Sequence, residues 1–490
     1  MSFRVCGPLM LALVTASAAN AAQTAPLQAC RVPGIANEVK CGVVKRALDP
    51  SKPQGVQIDV HYVVVPAMAR NKQPDPVLML AGGPGQSAID VAPIVMARLS
   101  RLSNRRDIVL VDQRGTGKSA PLVCPDDEHL SLKDALDAEQ QAQRLDRCRE
   151  KLMKLPYGDL RQFTTTVAMQ DMDAVREQLG AGKWNLIGGS YGTRAALEYL
   201  RQFPQHVRRV VIDGVAPPDM VLPASFSTDN QAAFDAELQA CEKQAACAAQ
   251  YPQLRSEWAA LLQGLPRTVS AINPETGLAE SFVLDRSSLL GAVRAPLYAP
   301  ALAAALPAAI HAAAQGRFEG LLGLSSSLGS KAGRLAIGMH YSVICAEDVP
   351  RMTDVSDQPG KDFGHGEAQR YLRACKDWPR GTVPAAFYTI PKSASPVLLL
   401  SGGADPVTPP RHAERVAKAL GPLTQQIVVP ESGHGVMGVG CMRDVIFRFI
   451  DAKTDAQALH QDASCATKIP RPLAFIPPQP GDLTNKGSAP

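Results

Sequence analysis

One repeated unit constrains the fold more tightly than any other feature: a short, continuously apolar run that breaks at once into a glycine-rich turn. Pro76–Leu80 runs into Ala81-Gly82-Gly83-Pro84-Gly85, Asp107–Val111 into Asp112-Gln113-Arg114-Gly115-Thr116-Gly117, and Trp184–Ile187 into Gly188-Gly189-Ser190-Tyr191-Gly192. Runs of this kind suit strands buried on both faces of a parallel sheet. The same grammar returns at Val210–Ile212 before Asp213-Gly214, at Val397–Leu400 before Ser401-Gly402-Gly403-Ala404-Asp405, and at Gln426–Val429 before Pro430-Glu431-Ser432-Gly433-His434. Helical patterns lie between, such as Val167, Met172, Val175 and Leu179. Alternating strands and helices predict an α/β fold with a mostly parallel sheet flanked by helices.

The interval 217–386 lacks these strand–glycine units and is rich in Ala and Leu, which predicts a mainly helical cap inserted over the carboxyl edge of the sheet. The core is then split into 22–216 and 387–465, and 466–490 forms a Pro-rich tail. With 46% hydrophobic and 20% charged residues, the chain has ordinary globular composition. Its net charge of +5 is spread without long like-charge runs, so composition gives no nucleic-acid footprint.

Residues 1–21 read as an export signal: Arg4, an apolar or small stretch from Leu9 to Ala19, then Ala19-Asn20-Ala21 at the cleavage position. The stretch is shorter than the ~20 apolar residues of a bilayer span, and no membrane insertion is expected. Setting Cys6 aside with the signal leaves ten of the 11 cysteines, which fall in neighbouring couples. These are Cys30 and Cys41, Cys124 and Cys148, Cys241 and Cys247, Cys345 and Cys375, and Cys441 and Cys465. An oxidising compartment, periplasmic or secreted, favours disulfides there, with neighbour pairing the simplest connectivity. No C-x-x-C and no suitably spaced His supports zinc.

Gly188-Gly189-Ser190-Tyr191-Gly192 fits G-x-S-x-G between a strand and a helix starting near Thr193. A serine at such a turn has strained dihedrals and crowded neighbours, which explains glycine two residues to either side. A serine hydroxyl needs a base and an orienting acid, and this architecture places them in the order Ser, acid, His. Asp405 and His434, each just beyond a later strand, fill those positions. Asp213 is the competing acid, and His365 is a look-alike that precedes Asp405. Backbone N–H groups of Gly83 and Tyr191 are the candidate oxyanion donors. Neither a metal nor a cofactor is required.

Ala-Gly-Gly-Pro-Gly (81–85), Asp-Gln-Arg-Gly-Thr-Gly-Lys-Ser (112–119), Gly-Gly-Ser-Tyr-Gly (188–192), Gly-Gly-Ala-Asp-Pro-Val-Thr-Pro (402–409) and Ser-Gly-His-Gly (432–435) occur together. In this combination the chain resembles secreted α/β-hydrolases of the prolyl aminopeptidase and tripeptidyl aminopeptidase family. The resemblance implies a Ser190–Asp405–His434 triad under a helical cap, acting on peptides with free N-termini. Ala81 stands where the prolyl branch often has His, which favours the tripeptidyl-like branch. A free ammonium calls for a carboxylate at the site rim, and Glu347 beside Cys345 is the candidate. A carboxylesterase using the same triad, a prolyl aminopeptidase and a non-catalytic hydrolase-fold binding protein remain as alternatives. Nothing in the sequence indicates an oligomeric state.

Overall fold

The computed structural model describes residues 27–124, 130–326, 334–354 and 357–478. The export-signal reading over 1–21, Cys6 and the end of the Pro-rich tail lie outside these residues. Eleven strands occur among them: β1 Gln28–Cys30, β2 Val39–Ala47, β3 Gln57–Val65, β4 Val77–Leu80, β5 Ile108–Val111, β6 Trp184–Gly189, β7 Val207–Asp213, β8 Arg267–Ile272, β9 Ala279–Leu284, β10 Val397–Gly402 and β11 Thr424–Val429. Nine form one sheet in the order β1-β2-β3-β5-β4-β6-β7-β10-β11. It is antiparallel from β1 to β5 and parallel from there to β11.

Alternate side chains of the central strands feed two separate apolar layers, as the period of two demands. Leu78, Leu80, Leu186 and Leu399 face one layer with Ala168, Met172 and Val175 of helix Thr165–Gln178 and Ala195, Ala196 and Tyr199 of helix Tyr191–Gln202. Val77, Met79, Ile187, Leu398 and Leu400 face the other, with Val95 and Leu99 of helix Ala92–Ser103 and Val445 and Phe449 of helix Met442–Asp451. Each fully buried Leu or Val contributes roughly 1.5–3 kcal/mol, so both faces hold the parallel strands in place. The carboxyl ends of β4, β6, β7 and β10 therefore converge at one edge.

Between β7 and β10 the chain is mainly helical, with one departure: β8 and β9 form an antiparallel ribbon that the Ala- and Leu-rich composition did not suggest. This interval carries its own apolar cluster, including Phe234, Trp258, Phe282, Leu289 and Ile310. Arg114 is fully buried, donating to both oxygens of Asp171 (2.6 and 2.9 Å) and to the carbonyls of Leu48 and Gln162. It anchors its own loop to the strand-and-helix frame behind it.

The ten cysteines join as Cys30–Cys41, Cys124–Cys148, Cys241–Cys247, Cys345–Cys375 and Cys441–Cys465. Cys345–Cys375 ties helix Ile337–Glu347 to the end of helix Gly366–Ala374, and both cysteines are fully buried. Replacing both by Ser is expected to lower stability by about 2–4 kcal/mol, read from urea unfolding. An unchanged midpoint would show that the crosslink does not constrain the chain.

Candidate active site

Ser190 caps helix Tyr191–Gln202 with φ 55° and ψ −124°, a left-sided conformation costly for any residue with a Cβ. Its flanking glycines are required by packing. A Cβ on Gly188 would lie 2.3 Å from the Gly192 carbonyl oxygen, and one on Gly192 would lie 2.1 Å from that of Leu80. Strand β4 thus presses against the elbow, and a Cβ on Gly82 would stand 3.3 Å from that of Ser190. Gly83, at φ 110°, continues this turn beside the serine. The backbone N–H groups of Gly83 and Tyr191 have no acceptor among the described residues, as expected of donors left open at a turn and a first helical position. The Ser190 hydroxyl also makes no hydrogen bond there.

Asp405, beyond β10, is buried. Its Oδ1 accepts the N–H groups of Val407 (2.9 Å) and Thr408 (2.8 Å), and its Oδ2 accepts the Thr408 hydroxyl (2.8 Å). The Nδ1 of His434 lies 2.8 Å from the same Oδ2. Nδ1 therefore carries the proton, and Nε2 is left as an acceptor. Burial works against a charged imidazole, but the attraction and hydrogen bond of Asp405, with Asp213 behind, outweigh it and raise the His434 pKa above its ordinary value. Burial likewise opposes ionisation of Asp405, yet His434 and the two loop N–H groups hold its pKa below the usual carboxylate range. The cap reaches this loop through Tyr298, whose carbonyl accepts His434 N–H (2.9 Å) and whose ring meets the imidazole edge-on at 5.1 Å.

Asp213 is not hydrogen-bonded to the imidazole. Its carbonyl accepts Ser190 N–H (2.9 Å), and its Oδ2 accepts the N–H groups of Val436 and Met437, each at 2.7 Å. One residue thus ties the serine elbow to the loop that carries His434. A Cβ on the next residue, Gly214, would lie 3.0 Å from His434 Cε1, so the imidazole rests on this same segment. His365 is exposed before helix Gly366–Ala374, within the inserted interval.

The expectation of Glu347 at a substrate-facing rim is corrected by its burial. On the last turn of helix Ile337–Glu347, its side chain is 0% exposed. Its oxygens accept the Thr165 N–H (2.7 Å) and hydroxyl (3.0 Å), and Arg194 lies 3.5 Å away. Burial, only partly offset by Arg194, pushes its pKa up to about 7. Ile337, His340 and Tyr341 form the half-buried face of this helix, whereas Glu347 lies on its buried side and faces inward.

Two groups that the sequence reading passed over come forward instead. Arg294, one turn before Tyr298 on helix Arg286–Leu297, and Arg370 both donate to Oε1 of Glu367. These three line a cleft of about 590 Å³ together with Phe363 and His365. His340 places Nδ1 3.1 Å from the Pro84 carbonyl and Nε2 2.8 Å from the Tyr371 hydroxyl. Glu367 and Arg370 are an i,i+3 pair on helix Gly366–Ala374, but Arg294, and the Pro84 and Tyr371 partners of His340, come from other elements, so no local pattern marks either set as a whole. No group of His, Cys, Asp and Glu suited to a metal ion occurs among the described residues.

A strained serine at a strand-to-helix turn, a His–Asp pair beyond later strands and a mostly parallel sheet define an α/β-hydrolase arrangement. Residues 75–267 match the family described as alpha/beta hydrolase fold, and residues 360–465 match that described as TAP-like protein. The chain therefore has the α/β-hydrolase fold, and its C-terminal part matches the TAP-like region. It is 31% identical over 193 residues to a tripeptidyl aminopeptidase of Streptomyces coelicolor, covering 37% of this chain and 36% of that protein. It is 30% identical over 203 residues to serine protease Hip1 of Mycobacterium tuberculosis (39% and 38%) and 30% over 140 residues to a proline iminopeptidase of Neisseria meningitidis (29% and 32%). The aligned stretch thus spans only about a third of these relatives' own length, 32–38%.

Proposed function

We propose that this protein is an exported serine hydrolase that removes residues or short peptides, tripeptidyl fashion, from free N-termini through Ser190, His434 and Asp405. The observation that carries the reading is the 2.8 Å bond from His434 Nδ1 to buried Asp405, on a loop backed by the same Asp213–Gly214 segment that holds the Ser190 elbow. Similarity to a tripeptidyl aminopeptidase supports the substrate class. Five disulfides fit an oxidising compartment, and no described helix is long and apolar enough to cross a membrane.

In this reading Ser190 Oγ attacks the scissile carbonyl while His434 Nε2 takes its proton. Asp405 fixes the tautomer and stabilises the imidazolium. The N–H groups of Gly83 and Tyr191 hold the oxyanion, His434 protonates the leaving amine, and water repeats the sequence on the acyl-enzyme.

One observation favours a second reading, an esterase on the same triad. Glu367, a carboxylate whose charge acts on Tyr298, already pairs with two guanidiniums, which leaves the cluster cationic and unsuited to a substrate ammonium. A matched panel separates the two: Pro-, Ala- and Ala-Ala-Pro-linked chromogenic amides, each with a free or acetylated N-terminus, and a short acyl ester. Cleavage of the free-amine tripeptide at least tenfold faster than its acetylated twin is the expected result. Hydrolysis of the ester alone would replace the peptidase reading.

A further inference from the structure

We infer that helix Ile337–Glu347 of the cap is the element that sets the oxyanion hole, with His340 and Glu347 as positioning residues for its two donors. The inference rests on the serine acyl-transfer reading above and adds a role that the triad does not require.

The first grip is on the turn that carries Gly83. His340 Nδ1 stands 3.1 Å from the Pro84 carbonyl, and its Nε2 stands 2.8 Å from the Tyr371 hydroxyl. A carbonyl only accepts, so Nδ1 carries a proton, and the ring is held at both nitrogens. Burial pushes its pKa down to about 4 and keeps it neutral, so Nε2 accepts from the Tyr371 hydroxyl. Arg370 and Glu367 are the charged groups that face it, with opposite effects. Ala336 N–H donates to the Gly85 carbonyl (2.8 Å), and Leu335 bridges to Gln86. The start of this helix thus holds three successive residues of the turn, Pro84 to Gln86.

The second grip is on Tyr191. Gln113 Nε2 donates to the Tyr191 hydroxyl (3.0 Å), which lies 2.6 Å from Thr165 Oγ1, which donates to Glu347 Oε2 (3.0 Å). Thr165 has spent its proton on the carboxylate, so Tyr191 donates to Thr165, and one directional chain ends on Glu347. The side chain of the residue whose N–H faces the oxyanion is thereby fixed from the far end of the same helix. Cys345–Cys375 ties this helix to helix Gly366–Ala374, which supplies Tyr371. Both donors of the hole are thus referenced to one rigid, covalently tied unit. A shift near 1 Å in such a site costs up to about 100-fold in rate.

The test is the second-order rate of Ser190 phosphonylation by a fluorophosphonate, with phenylboronic acid affinity as a second readout. Both require the hole and neither requires knowledge of the natural substrate. His340→Leu is expected to slow phosphonylation by about 100-fold and to weaken boronate binding in parallel. His340→Asn, which retains a donor near Nδ1, is expected to restore most of the rate. Thr165→Val is expected to slow it by about tenfold, and the double variant by the product, since the grips act on separate donors. Melting temperatures identify variants that fail to fold. Should His340→Leu be one of them, Tyr371→Phe carries the test, with about tenfold slowing expected from an imidazole held at one nitrogen. Equal rates for the Leu and Asn variants, or an unslowed folded His340→Leu, Tyr371→Phe or Thr165→Val variant, would overturn the inference. An unreactive wild-type Ser190 would instead sink the serine-hydrolase reading, so the two failures are distinguishable.

Discussion

Ser190→Ala is expected to leave a folded protein whose turnover falls by about a millionfold, with reaction toward a fluorophosphonate abolished. The size of the loss follows from the absence of a substitute: covalent catalysis needs a nucleophile at this elbow, and without one only the oxyanion donors and substrate binding remain. Folding is expected to survive for a local reason. Ala keeps the Cβ that already suffers φ 55°, so the backbone strain is unchanged. The deleted hydroxyl makes no hydrogen bond among the described residues. Stability is therefore expected to stay within about 0.5 kcal/mol of wild type, as for substitutions that remove no packing or hydrogen bond. Parallel kinetics and thermal melts check both halves. A folded variant that retained wild-type turnover would move the nucleophile elsewhere.

Asp405→Asn is expected to reduce kcat by about 10⁴-fold with little change in the fold. The hydrogen bonds at this side chain dictate the outcome. Val407 and Thr408 N–H groups both point at Oδ1, so the amide oxygen takes that place and its NH₂ faces His434. Nδ1 must then accept, which moves the ring proton to Nε2, the atom that has to receive the serine proton. The same bond sets the pH profile. The proposed mechanism needs neutral His434, and Asp405 raises its pKa, so wild-type kcat/KM is expected to fall as pH drops through a midpoint above about 6.5. In the Asn variant the residual activity is expected to show that midpoint at lower pH, because only Asp213 still favours the imidazolium. An unmoved acid limb would mean that Asp405 does not face the catalytic imidazole.

Much of this site is legible locally because its chemistry demands local geometry. Strained turns need glycine, and a strand buried on both faces needs an unbroken apolar run. Ser190, Asp405 and His434 could therefore be picked out in order without any contact being known. The antiparallel strands β1 to β3 carry no terminal glycine turn of this kind, and β8–β9 lie in a stretch whose composition favours helix, so strand–glycine grammar passes over both. Helix Ile337–Glu347 is hidden for a related reason: eight of its eleven residues are buried and its half-buried face is itself apolar or aromatic, so it shows no amphipathic period.

By itself, then, the sequence determined the parallel part of the sheet, the serine elbow, the order of Ser190, Asp405 and His434 beyond successive strands and the cysteine couples, all of which depend on residues close in the chain or on a fixed chain order. Tertiary structure alone decided the rest. It turned Glu347 inward onto Thr165, made Asp213 the tie between Ser190 and the His434 loop, and brought His340 from the cap onto the Pro84 carbonyl. Those roles depend on where a side chain points after elements more than a hundred residues apart have packed, and burial rather than residue type decides which partner each polar group finds.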